Sequence, residues 1–148
     1  MARKKRIRGF TLVEIMVVVT IVAILAALSI PNLLRARHNA DETAAIACMR
    51  AISTACENYR SSQTPTNYPV DLNTLASANP PYIDTALANA TRAATAKQGY
   101  YYTFSRANED QYTCLSTPKL SGVTGTRIFY VDETGVIRLN NSAGSPVE

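Results

Sequence analysis

The chain has 148 residues and a formal net charge of +4 at neutral pH. Its first nine residues hold five of the fifteen Lys and Arg and no acid, so the remainder has ten bases, eleven acids and a net charge of −1. A phosphate-binding surface needs clustered Lys and Arg on the folded part of a protein. The sequence therefore predicts no nucleic-acid partner.

The basic head, residues 1–9, is followed by a segment long and apolar enough to cross a membrane. No charged residue occurs over the twenty positions from Ile15 to Leu34. As a helix these residues span roughly 30 Å, about the hydrocarbon thickness of a bilayer. Because Lys and Arg beside a membrane segment stay in the cytoplasm, we expect the N-terminus inside and the C-terminus outside.

One carboxylate, Glu14, stands near the start of this apolar segment. A carboxylate in hydrocarbon costs several kcal/mol unless it is paired, so an acid at this depth indicates a function. It closes the run Arg-Gly-Phe-Thr-Leu-Val-Glu, from Arg8 to Glu14. This run resembles the N-terminal signature of type IV pilins and of the pseudopilins of type II secretion systems.

The resemblance implies how the N-terminus is processed. In that superfamily a membrane peptidase cuts after the glycine and methylates the new N-terminal residue. Cleavage would then fall between Gly9 and Phe10, residues 1–9 would be a cleaved leader, and Phe10 would become the N-methylated terminus. Glu14 would be the carboxylate that directs assembly, and residues 10–34 the transmembrane and polymerisation helix.

Two other targeting signals share some of these features. An ordinary secretory signal also has a basic head and an apolar region, and Ala27-Leu28-Ser29 resembles its cleavage site. The apolar block is long for that purpose, however, it contains Glu14, and its apolar character resumes from Ile30 to Leu34. A lipoprotein signal needs a cysteine directly after the apolar block, and the first cysteine is Cys48.

Pro31 lies inside the apolar segment. Proline removes one helix hydrogen bond and clashes with the preceding turn, which predicts a kink or a helix end near the outer membrane face. By the resemblance, Pro31 would mark a point where the pilin helix unwinds when subunits pack into a filament.

Residues 35–60 continue the helix as an amphipathic half. The segment contains neither Gly nor Pro and is rich in Ala. Apolar residues recur there at spacings of three and four, which predicts one buried stripe: Ala45, Cys48, Ile52, Cys56 and Tyr59. Charged residues, Glu42 among them, occupy mostly other positions. One long helix, half in the membrane and half on a small domain, is the predicted construction.

The rest of the chain predicts a connecting segment and a small sheet. Residues 61–99 read as an αβ connecting loop, in which Asp71 is a candidate N-cap. Residues 100–139 contain short aromatic or β-branched runs separated by turn residues, which predict three or four antiparallel strands packed on the helix. Residues 140–148 read as a loose tail. The expected fold class is α+β.

Three cysteines lie outside the cytoplasm in this orientation. Cys48 and Cys56 are about 12 Å apart along a helix, too far for a disulfide. Cys114, on a predicted strand over that helix, can therefore pair with only one of them. We favour Cys56–Cys114, with Cys48 as the alternative partner and three reduced thiols as the other outcome.

Catalytic and metal sites have little support in this sequence. His38 is the only histidine, and the cysteine spacing lacks a Cys-x-x-Cys pair, so we expect no metal and no enzymatic role. The acidic pairs Glu109-Asp110 and Asp132-Glu133 are typical of solvated turns. Calcium, which some major pseudopilins bind in a loop near the C-terminus, is left open as a ligand.

The resemblance implies a structural subunit that polymerises into a type IV pilus or a type II secretion pseudopilus. A terminal disulfide loop favours the pilus, whereas Tyr68-Pro69 with Leu72 and Leu75 is similar to a connecting segment of major pseudopilins. Its partners would be like subunits, the prepilin peptidase and methyltransferase, and an inner-membrane assembly platform. The alternative is a signal-anchored periplasmic binding domain that does not polymerise. Glu14 discriminates between them, since an anchor has no use for an acid at that depth.

Overall fold

The computed structural model describes residues 9–147. Residues 1–8 of the predicted leader lie outside the described range. The described residues divide into two compact units between Ala36 and Arg37. A helix of 51 residues, α1, runs from Leu12 to Ser62. It continues through Pro31 as one helix, and the kink expected at that proline stays a prediction.

In the second unit one stripe of α1 is buried in the core. Ala45, Met49, Ile52 and Cys56 are fully buried, while Cys48 and Tyr59 pack at its edge as partly buried residues. The predicted stripe is thus confirmed at its centre. Met49 was not part of the prediction, although it lies one helical turn after Ala45 and fills the same face.

A four-stranded antiparallel sheet covers this stripe. Its strands are β1 (Tyr100–Asn108), β2 (Gln111–Pro118), β3 (Phe129–Asp132) and β4 (Arg138–Leu139), in the spatial order β1-β2-β3-β4. Side chains that alternate along β1, β2 and β3 point into the core, as the twofold period of a strand requires: Tyr100, Tyr102, Tyr112, Cys114, Phe129 and Val131. The α+β fold predicted from the sequence is confirmed.

The segment between α1 and the sheet contains two short helices. The first, α2 (Leu72–Ala76), begins at the predicted cap, where the Asp71 carboxylate accepts a hydrogen bond from the Thr74 backbone N–H at 2.8 Å. The second, α3 (Thr85–Ala88), was not predicted and is capped in the same way by Asp84. Both helices bury leucines in the core, and a 3-10 turn at Ala93–Thr95 follows.

Residues 140–147 return to the end of the sheet, where the sequence predicts a loose tail for residues 140–148; Glu148 lies outside the described range. The Leu139 N–H donates to the Ser145 carbonyl at 3.0 Å, and the Val147 N–H donates to the Ile137 carbonyl at 2.8 Å. Asn140 has a φ of +65°, which lets the chain reverse there. The polar composition of these residues predicts a loose tail, because backbone hydrogen bonds leave no pattern in side-chain type.

Both cysteines of the favoured pair, Cys56 and Cys114, are buried in this core, and Cys48 is half-buried. All three are free thiols in the structure, so the Cys56–Cys114 disulfide is not formed here and stays a prediction. Burial and the neighbouring Glu57 raise the pKa of Cys56 to about 12. Burial, with Cys56 nearby, also raises the pKa of Cys114. Because thiolates react and thiols do not, oxidation is slow once these groups are covered.

A buried carboxylate of α1 holds the loop between β2 and β3, residues 119–128. Glu42 is 5% exposed and accepts hydrogen bonds from the backbone N–H groups of Thr126 and Arg127 at 3.1 and 3.3 Å. The Arg127 guanidinium adds a hydrogen bond of 2.7 Å from Nε and an ion pair of 2.6 Å from Nη2. Burial alone would raise the pKa of Glu42, but these donors outweigh it and the pKa lies below its ordinary value. The sequence placed Glu42 off the buried stripe and missed this contact.

We expect Glu42→Gln to destabilise the fold at neutral pH by about 2 kcal/mol, because the donors lose a charged acceptor. The folded-state pKa of Glu42 is depressed, so its stabilisation is present above the unfolded pKa of about 4.3 and is lost as pH falls through the folded pKa. The difference in Tm between wild type and variant should therefore shrink below about pH 4. Thermal denaturation of the full chain in detergent, followed by circular dichroism, measures it.

Glu109→Gln is the matched control, since Glu109 is an exposed acid in the β1–β2 turn. Its Tm should follow wild type at every pH. A constant difference between wild type and Glu42→Gln down to pH 3 would contradict the role of the Glu42 charge.

The predicted disulfide also has a direct test. A Cys56–Cys114 bond closes a loop of nearly sixty residues and should contribute on the order of 4 kcal/mol in the chain-entropy model. Non-reducing peptide mapping of protein recovered from the periplasmic side should find this link, and Cys48→Ser should leave it unchanged. A Cys48–Cys114 link, or three free thiols, would refute the pairing.

Candidate assembly site at the start of the N-terminal helix

The first turn of α1 is closed by two side chains that hydrogen-bond each other's backbone. The Thr11 hydroxyl accepts a hydrogen bond from the Glu14 N–H at 3.2 Å. In return, the Glu14 carboxylate oxygen Oε2 accepts from the Thr11 N–H at 2.9 Å and from the Thr11 hydroxyl at 2.8 Å. This reciprocal arrangement is a capping box, with Thr11 as the N-cap and Glu14 at the third helical position.

The capping box gives Thr11 a role that the sequence interpretation missed. The signal was present, since a threonine followed three residues later by a glutamate before an apolar run is typical of a helix start. The run from Arg8 to Glu14 also resembles a processing motif, and that resemblance hid the capping pattern. Thr11 also sets the position of Glu14, because it provides both donors to that carboxylate.

Only one of the two carboxylate oxygens of Glu14 takes part in the cap. Both bonds from Thr11 end on Oε2, and Oε1 has no hydrogen-bond partner within residues 9–147. Glu14 can therefore cap its own helix and still offer an oxygen to a cation. No other residue between Phe10 and Leu34 is ionisable.

The predicted cleavage site lies just before this helix. Gly9 and Phe10 have no helical structure, and the Phe10 side chain is 83% exposed. Within residues 9–147, a Cβ added at Gly9 would meet no atom within 4 Å.

The apolar side chains from Leu12 to Leu34 have no partner within the described residues. Each large aliphatic side chain in this segment is between 51% and 75% exposed. A stretch of 18 residues within α1 has a mean hydropathy of 2.7, and by length and composition α1 is able to cross a membrane. Burial of so much apolar surface is strongly favourable, so lipid or other apolar helices must cover it.

The uncharged polar side chains inside this segment are satisfied by their own helix. The hydroxyls of Thr20 and Ser29 donate to the carbonyls of Met16 and Leu25 at 2.7 and 2.8 Å. The Asn32 amide donates to the Leu28 carbonyl at 3.2 Å. A polar group paired in this way costs little in an apolar environment. Glu14 is thus the one ionisable side chain of the segment, and its oxygen Oε1 has no hydrogen-bond partner within residues 9–147.

No metal site accompanies this arrangement. Within residues 9–147, no group of three or more His, Cys, Asp or Glu side chains is placed to hold a metal ion. Asp110, of the predicted solvated turn, is paired with Arg60 at 2.5 Å.

Comparison with known proteins identifies the N-terminal motif. Residues 4–30 match the family described as the prokaryotic N-terminal methylation motif. The chain is 41% identical over 58 residues to the type II secretion system core protein G of Aeromonas hydrophila, which covers 39% of this chain and 41% of that protein. It is 43% identical over 53 residues to the core protein G of Escherichia coli K12, covering 36% of this chain and 37% of that protein.

A pilus protein is similar over a shorter stretch. The type IV wide pilus major component PilA4 of Thermus thermophilus is 58% identical over 36 residues, which are 24% of this chain and 28% of that protein. The chain spans about two fifths of the length of the core G proteins it matches. No solved structure gives a significant match. The chain therefore carries the prokaryotic N-terminal methylation motif and, over part of its length, is similar both to type II secretion core protein G and to a type IV pilus component.

Proposed function

We propose that this chain is a prepilin-like structural subunit. It is processed, N-methylated at Phe10 and polymerised through its N-terminal helix into a type IV pilus or a type II secretion pseudopilus. The proposal rests on Glu14. Only one of its carboxylate oxygens is hydrogen-bonded within residues 9–147, and it lies in the first turn of a helix whose apolar side chains are exposed. The match to the N-terminal methylation motif supports the processing steps.

Before assembly, the apolar segment of α1 spans the inner membrane with the basic head in the cytoplasm. The membrane peptidase removes residues 1–9, and the new amine of Phe10 becomes a cation at the membrane edge. Glu14 lies four residues further along the chain, in the first turn of α1. The subunit then waits in the membrane for an inner-membrane assembly platform to join it to the fibre.

In the fibre, the Phe10 amine of an incoming subunit binds the Glu14 carboxylate of a neighbour. Pairing removes the cost of a lone charge in an apolar environment. The cap occupies Oε2 and leaves Oε1 for the amine, so the helix start does not have to unravel when the ion pair forms. The same pair at each subunit fixes the axial register of the helical core.

The fibre is either a surface pilus or a periplasmic pseudopilus. Relatives of both kinds share part of the chain. Deleting the gene would remove surface fibres in the first case and block enzyme export through the outer membrane in the second. The alternative, a signal-anchored domain that never polymerises, gives the carboxylate of Glu14 only its capping role and no partner for its second oxygen.

Cleavage between Gly9 and Phe10 is the first test. Terminal mass analysis of membrane-extracted protein should find a chain that begins at Phe10 and carries one extra methyl group. An intact Met1 in a host with an active prepilin peptidase, or a terminus near Ile30, would contradict the family assignment.

The second test separates the charge of Glu14 from its capping role. Glu14→Gln keeps a side-chain acceptor for the Thr11 N–H, since glutamine also closes a capping box, but it cannot form an ion pair. Glu14→Ala removes both. We expect both variants to be inserted and processed normally, and both to lose most or all fibres in a shear fraction, because each lacks the charge that receives the amine.

Ser29→Ala is the matched control, because Ser29 is a polar residue of the same segment that bonds its own helix. Its fibre yield should equal that of wild type. Normal fibres from Glu14→Gln would show that the cap, not the ion pair, is what assembly needs. Normal fibres from Glu14→Ala, with processed protein at wild-type level, would defeat the proposal.

A further inference from the structure

The core of the second unit contains two hydroxyls without a hydrogen-bond partner. The side chains of Tyr102 and Ser116 are both 0% exposed, and neither hydroxyl is paired within residues 9–147. Tyr102 in β1 lies directly opposite Ser116 in β2. Because residues opposite each other in a pair of strands point to the same face of the sheet, both side chains lie between the sheet and α1.

Two other buried tyrosines of the sheet have partners for their hydroxyls. The Tyr112 hydroxyl donates to the Ser53 hydroxyl at 3.2 Å, and the Tyr100 hydroxyl donates to the Arg127 carbonyl at 3.0 Å. A buried polar group left unpaired costs free energy, so such groups are nearly always bonded to protein atoms or to ordered water. The unpaired hydroxyls of Tyr102 and Ser116 therefore indicate a partner that is not a protein atom.

The side chains around the Tyr102 hydroxyl favour a neutral partner. Burial is the main influence on Tyr102 and raises its pKa, so the hydroxyl stays protonated. Cys48, Cys114 and Ser116 also act on this hydroxyl, which places their side chains beside it. Burial raises the pKa of Cys114 as well. Neutral hydroxyls and a neutral thiol in a buried position do not compensate the desolvation of an ion.

Cys48 connects this position with the surface of the unit. It is half-buried at the edge of the core, and its thiol makes a weak hydrogen bond of 3.9 Å to Oε1 of Gln98. Gln98 is exposed in the turn before β1. A route from solvent to the two hydroxyls therefore passes Cys48. Only a small molecule fits the end of this route, because Tyr102 and Ser116 are fully covered.

We propose that a single water molecule is bound between Tyr102 and Ser116 in the core. Water is small and neutral, and it both donates and accepts, so one molecule can pair with both hydroxyls. It joins β1 and β2 on the side of the sheet that faces α1. The site lies wholly within residues 37–147 and is independent of the proposed assembly through Glu14.

Thermal stability of the full chain in detergent tests whether the two hydroxyls are paired. Tyr102→Phe removes one hydroxyl and keeps the ring, and Ser116→Ala removes the other. If a water is bound, each change breaks a hydrogen bond, and we expect the Tm to fall by a few degrees. Removal of an unpaired buried hydroxyl would instead stabilise the fold. A raised Tm in either variant therefore overturns the inference.

Oxygen-17 magnetic relaxation dispersion identifies the partner, because it detects long-lived bound water without a contribution from exchanging hydroxyl protons. The double variant Tyr102→Phe with Ser116→Ala should show one long-lived water fewer than wild type. Tyr112→Phe is the matched control, since it removes a buried hydroxyl that is bonded to Ser53. It should lower the Tm and leave the relaxation dispersion unchanged. Equal dispersion in wild type and the double variant overturns the inference.

A bond from Tyr102 to the sulfur of Cys48 is the competing explanation for a lowered Tm. Cys48→Ala separates the two, because it keeps both hydroxyls. With a bound water, Tyr102→Phe should lower the Tm by the same amount in the Cys48→Ala background as in wild type. If Tyr102→Phe has no effect in that background, the hydroxyl is paired with the sulfur and the inference is overturned.

Discussion

The self-contained hydrogen bonding of α1 is the constraint on which the rest of the molecule depends. A helix pairs its backbone groups within one segment, so among the elements of residues 9–147 α1 is the one that can lie in hydrocarbon and also continue into water. The polar side chains of its apolar segment follow the same rule, since Thr20, Ser29 and Asn32 bond carbonyls one turn earlier. Beyond Arg37 the apolar stripe of α1 is covered by the chain's own β-sheet.

Two carboxylates of this helix show how environment decides the use of one functional group. Glu42 is surrounded by donors from its own chain, two backbone N–H groups and a guanidinium, and it serves stability. Glu14 accepts hydrogen bonds from Thr11 on one oxygen, and its other oxygen has no partner within residues 9–147. Glu42 therefore stabilises the fold, whereas the unpaired oxygen of Glu14 is the atom to which the proposed function assigns the amine of a neighbouring subunit.

The parts of the fold predicted from sequence are those that local pattern encodes. The long helix and its buried stripe follow from periodicity, and the strands follow from runs of aromatic and β-branched residues. The Asp71 cap was readable because an N-cap acts within three residues. The burial of Glu42 could not be predicted from the sequence, because its partners lie 84 and 85 residues away and a single charged residue has no periodicity.

The candidate site divides in the same way. Gly9, Phe10 and Glu14 were readable as a motif, because they lie in the contiguous residues 4–30 that match the prokaryotic N-terminal methylation motif. The return of the C-terminal residues to β4 was hidden, since it depends on backbone hydrogen bonds at Leu139 and Val147. The capping role of Thr11 was also readable from the sequence. It was missed because the same residues belong to the processing motif.

The strand order has a consequence for how such a subunit comes into being. Each strand pairs with its neighbour in the chain, β1 with β2, β2 with β3 and β3 with β4. The sheet therefore needs no long-range strand crossing and can be added strand by strand, with little loop-closure entropy at each step. The residues of α1 that it packs on precede all four strands in the chain. Synthesis from the N-terminus thus delivers the helix first and the strands afterwards in their final order, so that each strand can add to a surface that already exists.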